Sequence, residues 1–395
     1  RRDVRIVNLS LLAGDWYIDQ MKRKAYESDG VPISFTKDQY HAGVRDFVSI
    51  EDRLQKPFSM KEVMEFVASD ASETKSHRYQ GGAVDYIPTR SLYIPVDKEK
   101  VLANGTVQPE DSALIVDRVE IQLKGNTLNK SQLMVLDILA TNNWERPVYF
   151  GVGMGQDSYM GFEKYFQLEG AGYRVVPIKS ESTNAYYDFG RINTKILYDK
   201  LMNKFVWGNI KDPKVNIDHF HDNTIAVMKY RNTFLRLAEQ LMQEAMTETH
   251  ITSDSIINEI TDSSKIQEAV RVLDKSLEEI PLYQVPADFF LLNYISIYYA
   301  AGEKEKGNDL AWALALDNAQ TLRYIGSLSP NRKKALENDE RRSVQALQML
   351  VDMARRNGEN AFAQELQDMI ENTLSGRPVT SNRVNKNFPI KSNND

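Results

Sequence analysis

The chain has 395 residues, 42% of them hydrophobic and 26% charged, with a formal net charge of −6 at pH 7. That length suggests two or three domains and is ample for a sizeable core, while the acidic balance argues against a nucleic-acid surface, which needs concentrated Lys and Arg. The absence of cysteine excludes disulfides, thiolate catalysis and cysteine-ligated zinc or iron–sulfur centres, and no run approaches the roughly 18 apolar residues of a membrane span.

Residues 4–9 form a short apolar, β-branched run that predicts a buried strand, then a tight turn and a helix with Asp15 as its N-cap. A lone strand at the start of a chain needs something to cover or pair with it, so the sequence predicts a piece of a longer protein. Further strand runs fall at 91–96, 116–123, 147–151 and 173–178, and helix-period segments alternate with them. Tyr17, Met21 and Ala25 share one face of a helix over 16–25, and Val63, Phe66 and Val67 share one over 59–68. Asn129-Lys130-Ser131-Gln132 has the spacing of a capping box and opens a nearly all-apolar stretch, 133–140, interrupted by Asp137. A helix apolar on most sides is buried between layers. Strands alternating with such helices predict an α/β domain over residues 1–215 with a mostly parallel sheet.

From Asn223 onward the pattern is helical. Segments 224–246, 265–280, 287–301, 303–321, 339–357 and 361–374 read as antiparallel helices joined by short turns. Ala300-Ala301-Gly302-Glu303 and Arg356-Asn357-Gly358-Glu359 look alike: each ends a helix at glycine and opens the next on an acidic residue. Ile295 with Gly302, and Val351 with Gly358, keep a spacing found in tetratricopeptide repeats, and Gly307 and Ala363 occupy equivalent positions beyond each glycine. The Trp-Leu-Gly-Tyr signature of those repeats is missing. Residues 220–375 are therefore predicted to be an all-α, tetratricopeptide-like helical domain, with a plain bundle as the alternative. Residues 247–264 read as an exposed loop, and 376–395 as a disordered tail.

In parallel α/β sheets, ligands bind beyond the carboxyl ends of strands, where helix N-termini offer unpaired N–H groups. Two segments have that context. The first runs from Asn8 and Ser10 to Asp15, Trp16 and Asp19; the second is Gly151-Val152-Gly153-Met154-Gly155-Gln156-Asp157-Ser158. Gly153 and Gly155 let the backbone approach a ligand, and Asp157 is placed to cap the next turn of the chain. The second is neither a dinucleotide fingerprint nor a P-loop. Each has a plain structural alternative, a capped helix start at Asp15 and a flexible turn at Gly153. Asn142-Asn143-Trp144-Glu145 joins the apolar helix to its next strand, and asparagine can end a helix in the left-handed conformation. Asp218-His219-Phe220-His221-Asp222 resembles a metal set, but no third ligand is evident and an exposed connector explains it. No Gly-x-Ser-x-Gly elbow is present.

Three stretches also carry a resemblance. They are Asp3-Val4-Arg5-Ile6-Val7-Asn8-Leu9-Ser10-Leu11-Leu12 with Asp15-Trp16-Tyr17-Ile18-Asp19-Gln20; Leu133-Met134-Val135-Leu136-Asp137-Ile138-Leu139-Ala140-Thr141-Asn142-Asn143-Trp144-Glu145-Arg146-Pro147-Val148-Tyr149-Phe150; and Phe166-Gln167-Leu168-Glu169-Gly170 with Tyr173-Arg174-Val175-Val176-Pro177. Together they resemble the soluble C-terminal region of the Bacteroidetes membrane glycosyltransferase-like family, a domain of unknown function related to protein O-mannosyltransferases. The resemblance implies a periplasmic location, with tethering through an N-terminal multi-span membrane region. It also implies that the catalytic carboxylate lies in that region, so it assigns no catalytic residue here.

The expectation is an accessory region that is not catalytic alone. Its partners would be its own N-terminal membrane region and a glycan or protein acceptor, with no nucleic acid, no metal and no cofactor. Two alternatives stand beside it: a sugar- or sugar-phosphate-binding α/β unit, and a scaffold whose helices bind a protein partner.

Overall fold

The computed structural model describes residues 2–77, 82–180, 189–218, 220–252, 255–260 and 262–377. The chain divides into two compact units, Arg1–Leu168 with Gly172–Arg191, and Glu169–Ala171 with Ile192–Asp395. The first is α/β and the second is largely helical.

In the first unit, α1 (Asp15–Lys22) and the short α2 (Lys37–Tyr40) precede the strands β1 (Phe47–Ile50) and β2 (Phe58–Ser59). The helix α3 (Met60–Ala68) comes next, then β3 (Lys75–Ser76), β4 (Val84–Ile87), β5 (Ser91–Pro95) and α4 (Lys98–Ala103). The unit continues with β6 (Arg118–Gln122), β7 (Thr127–Asn129), α5 (Lys130–Asn142), β8 (Tyr149–Gly151), β9 (Phe166–Leu168) and β10 (Gly172–Val175). Among the described residues these strands form three small sheets, ordered β3-β4-β1-β7, β2-β5-β6 and β8-β10-β9.

The expected mostly parallel sheet is corrected. Among the strand pairs of the described residues in this unit, only β1–β4 and β2–β5 are parallel and the other strand pairs are antiparallel; an isolated bridge between Gln167 and Arg191 is also parallel. The burial of β6 shows why: Val119 and Ile121 point inward while Arg118, Glu120 and Gln122 are exposed. A strand with one wet face suits an antiparallel edge, whereas parallel strands are buried on both faces. Residues 4–9 are a second correction. They form no strand; instead the Tyr17 hydroxyl donates to the Ile6 carbonyl (3.3 Å) and accepts from the Asn8 N–H (2.9 Å). Ile6 remains 83% exposed, so its side of the segment is not covered by an apolar layer among the described residues.

The capping box is present as expected. Asn129 Oδ1 accepts from the Gln132 N–H (2.9 Å), and Gln132 Oε1 accepts from the Asn129 N–H (3.0 Å). Leu133, Met134 and Leu136 have no exposed surface, because α5 lies against α3 on one side and β1 and β7 on another. The helix ends at Asn143 in the left-handed conformation, φ +43°. The connector beyond it is structural: the Trp144 indole donates to the Pro95 carbonyl (2.8 Å) and Asn142 Nδ2 to that of Arg146 (2.8 Å). Beneath β8, β9 and β10 sits an aromatic cluster in which Phe166 stacks on Tyr173, centroids 5.1 Å apart.

The second unit begins with α6 (Thr194–Asp199) and reaches α7 (Asn232–Ala245) through a π-helical segment, His221–Arg231. A hairpin of β11 (Met246–Thr252) and β12 (Ser255–Ile260) comes next. It replaces the loop expected over 247–264 and makes the unit helical without being all-α. Both arms carry β-branched Thr and Ile, which favour an extended pair. The helices α8 (Ser263–Glu279), α9 (Phe290–Ala300), α10 (Lys304–Ser327), α11 (Pro330–Ala335), α12 (Glu337–Arg356) and α13 (Asn360–Leu374) complete it. Phe234, Leu237, Ala238 and Leu241 on α7 are fully buried at helical spacing. The two similar turns share one geometry: Gly302 and Gly358 have φ of +81° and +79°, and the next N–H of each returns to a carbonyl of the preceding helix. Of the predicted tail, residues 378–395 lie outside the described residues. No helix among the described residues is long and apolar enough to cross a membrane.

Candidate functional site

The turn at residues 9–14 brings the start of α1 beside the start of α5. Ser10, Gly14 and Asp15 from the first, and Asn129, Lys130, Ser131 and Gln132 from the second, line one open groove of about 820 Å³. Asp157 and Ser158 enter it from the loop after β8. Three residues predicted from the two separate segments, Ser10, Asp15 and Asp157, therefore share one groove. The positive end of the α5 dipole lies in its lining.

Lys130 anchors the groove floor. Its side chain is 2% exposed, pairs with Asp46 and donates to the His41 carbonyl (3.1 Å). The hydrogen bond from Lys130 holds the Asp46 carboxyl below the usual carboxylate value, against a smaller opposing effect of burial. A buried ammonium needs such partners, because an uncompensated charge is costly to desolvate. Phe47, next in the chain, stands 76% exposed in the same lining.

The other predicted residues go elsewhere. Asn8 closes its own loop at the surface, its Oδ1 accepting from the Ser10 N–H (3.0 Å) and the Leu11 N–H (3.3 Å). Trp16 and Asp19 line a separate hollow with Val4, Ile6 and Tyr26. Asp19 is engaged structurally: it pairs with Lys37 and accepts from the Tyr40 hydroxyl (2.6 Å), and these contacts hold its carboxyl below the usual range. Burial, and then the same Asp19 contact, pushes the Tyr40 hydroxyl up.

Asp15 is not the N-cap of α1. Gly14 takes that position, and Asp15 sits in the first turn, where its Oδ1 accepts from the Trp16 N–H (2.7 Å). Gly153 and Gly155 shape the turn into residues 156–159 without lining the groove. The Tyr159 hydroxyl, pushed up to about 12 by burial, donates to the Gly151 carbonyl (3.1 Å) and holds that turn down. Gly155, and not Asp157, takes the capping position of this short helical turn, and Asp157 faces the groove.

Sequence reasoning missed the pairing of the buried Lys130 with the more exposed Asp46, and it missed Glu163 altogether. A lysine at the first position of an otherwise apolar helix was the available signal for Lys130; nothing local marks the others. Of the histidine cluster, His219 lies outside the described residues, and His221 Nδ1 sits 2.5 Å from an exposed Asp218 carboxylate. Among the described residues no group of three His, Asp or Glu side chains is placed to hold a metal.

Residues 1–196 match the family model described as TMEM260-associated domain 2. No curated protein and no solved structure matches the chain.

Proposed function

We propose, starting from the match of the first 196 residues to a TMEM260-associated domain, that the chain is an accessory region of a glycosyltransferase-like protein, on the periplasmic side of a membrane, that holds an acceptor. The α/β unit makes that contact through the groove shared by Ser10, Asp15 and Asp157. What supports a contact surface is the convergence of carboxylates, amides and hydroxyls from three loops in one open groove, next to an exposed aromatic ring. Transfer chemistry belongs to the membrane region of the parent protein. The helical unit serves as a second, protein-facing arm of tetratricopeptide-like character; its two equivalent glycine turns support that likeness, and Tyr324 and Phe289, each 61% exposed, offer aromatic contacts.

The test is made in the whole parent protein. Asp15→Ala combined with Asp157→Ala should lower glycan transfer to its acceptor by about tenfold, the loss of roughly one charge-assisted hydrogen bond, while far-ultraviolet circular dichroism of the 395-residue chain stays unchanged. Undiminished transfer would overturn the proposal.

A further inference from the structure

The groove does not end at Asp157. A second hollow of about 260 Å³ shares Gln132, Asp157 and Met160 with it, and a third of about 410 Å³ shares Lys124, Gln156, Gly161 and Glu163 with the second. The three adjoin in series and together make a channel of neighbouring hollows along the first unit, from the start of α5 to the edge of β6. Gly161 makes the passage possible. It has φ +90°, a conformation that L side chains rarely adopt, and a Cβ there would stand 3.3 Å from the Gln122 carbonyl, a tight approach to the strand.

Glu163 is the informative residue of this channel. It is 8% exposed and lines both the second and the third hollow. Among the described residues its carboxylate has neither a hydrogen-bond donor nor an ion-pair partner. Its oxygens keep contact with solvent, so the carboxylate can accept from a ligand that enters these hollows. The lining also includes Lys124, Lys164 and Lys179, none of which forms an ion pair among the described residues. Charges of both signs, interspersed with the amides Gln122 and Gln156, suit a ligand whose groups both donate and accept.

We infer that this channel binds a neutral, linear oligosaccharide several units long, with Glu163 accepting from its hydroxyls. The inference rests on the proposed contact surface and names what that surface holds. Each sugar hydroxyl is one donor and two acceptors, so it serves carboxylate, ammonium and amide alike. Mixed charge gives no single-sign field to hold a polyanion. The lining is more polar than a pocket for a small apolar ligand, and an extended peptide would need a free strand edge. The exposed edge of β6 is already engaged, since the Glu120 N–H donates to the Tyr165 hydroxyl (3.1 Å). Phe47 at the first hollow offers a flat face for the apolar side of a sugar ring.

The test is isothermal titration of the 395-residue chain with neutral linear oligosaccharides of glucose, mannose or N-acetylglucosamine, from monosaccharide to pentasaccharide. At least one series should bind, with affinity rising about tenfold or more from monosaccharide to tetrasaccharide as successive hollows fill. Glu163→Gln, which keeps the shape and removes the charge, should weaken that binding about tenfold. Gln122→Ala with Gln156→Ala, both exposed, serves as a second variant that leaves the fold intact. Four results would each overturn the inference: no binding at millimolar concentration, affinity independent of length, binding indifferent to Glu163→Gln and to the Gln pair, or a polyanionic oligosaccharide or extended peptide occupying the channel in preference. The two readings fail separately. Loss of transfer in the Asp15 and Asp157 variant without any oligosaccharide binding removes the ligand and keeps the surface; oligosaccharide binding without an effect on transfer does the reverse.

Discussion

Asp137 has no exposed surface and lies in the middle of the most apolar helix of the first unit. It accepts from the Ser34 N–H (2.7 Å) and the Ser34 hydroxyl (2.5 Å), tying residues 31–36 to α5. Burial raises its carboxyl above the ordinary value, and the hydrogen bonds from Ser34 and Thr141 oppose that rise in part. A carboxyl whose value is raised on folding holds its proton more tightly in the folded state. The stability it contributes is therefore full below the ordinary carboxylate value and falls as pH climbs through the raised one. Asp137→Asn should remove that fall, so that urea unfolding at a series of pH values shows the variant gaining on the native chain above about pH 4. A gap between the two that is constant with pH would contradict it. Asp137→Ala should cost about 1–3 kcal/mol, because the Ser34 donors are left without an acceptor. The sequence showed Asp137 as an interruption in an apolar run; Ser34, 103 positions away, became its partner through the fold.

At the scale of elements, legibility tracked the range of the interactions. Asn129 and Gln132 hydrogen-bond each other across one helical turn, so spacing alone revealed the box. Asn129→Ala should lower stability by about 1 kcal/mol, read as a shift in the urea midpoint at unchanged slope. The glycine turns at Gly302 and Gly358 were equally legible, being closed by bonds within five residues. Residues 4–9 misled because a β-branched run predicts a strand only where a ladder exists to receive it, and here the Tyr17 hydroxyl takes the contact instead. Orientation of strands was hidden for the same reason. Gly190 shows how tightly one element can fix another: at φ +72°, a Cβ there would meet the Phe166 carbonyl oxygen at 2.1 Å. Gly190→Ala should cost about 1–3 kcal/mol from backbone strain alone, measured by chemical denaturation.

Across the whole molecule, each unit has a core of its own. Arg231 shows how the helical one is pinned. It has no exposed surface, donates to the carbonyls of Ile280 (3.0 Å), Val285 (2.8 Å) and Pro286 (2.7 Å), and pairs with Asp288 at 2.5 Å. Arg231→Met should cost about 3–5 kcal/mol, since it strands Asp288 and three carbonyls. The loss of hydrogen-exchange protection should be confined to residues of the second unit, with α3 and α5 keeping theirs; equal loss in both would mean one cooperative block. The sequence by itself determined the α/β and then helical order, the capped apolar helix, its left-handed stop at Asn143 and the glycine turns, all set by periodicity or by contacts within a few residues. Tertiary structure alone decided the mixed sheets, the meeting of Ser10, Asp15 and Asp157 in one groove, and the place of Glu163 between two hollows, because those depend on which distant segments lie side by side.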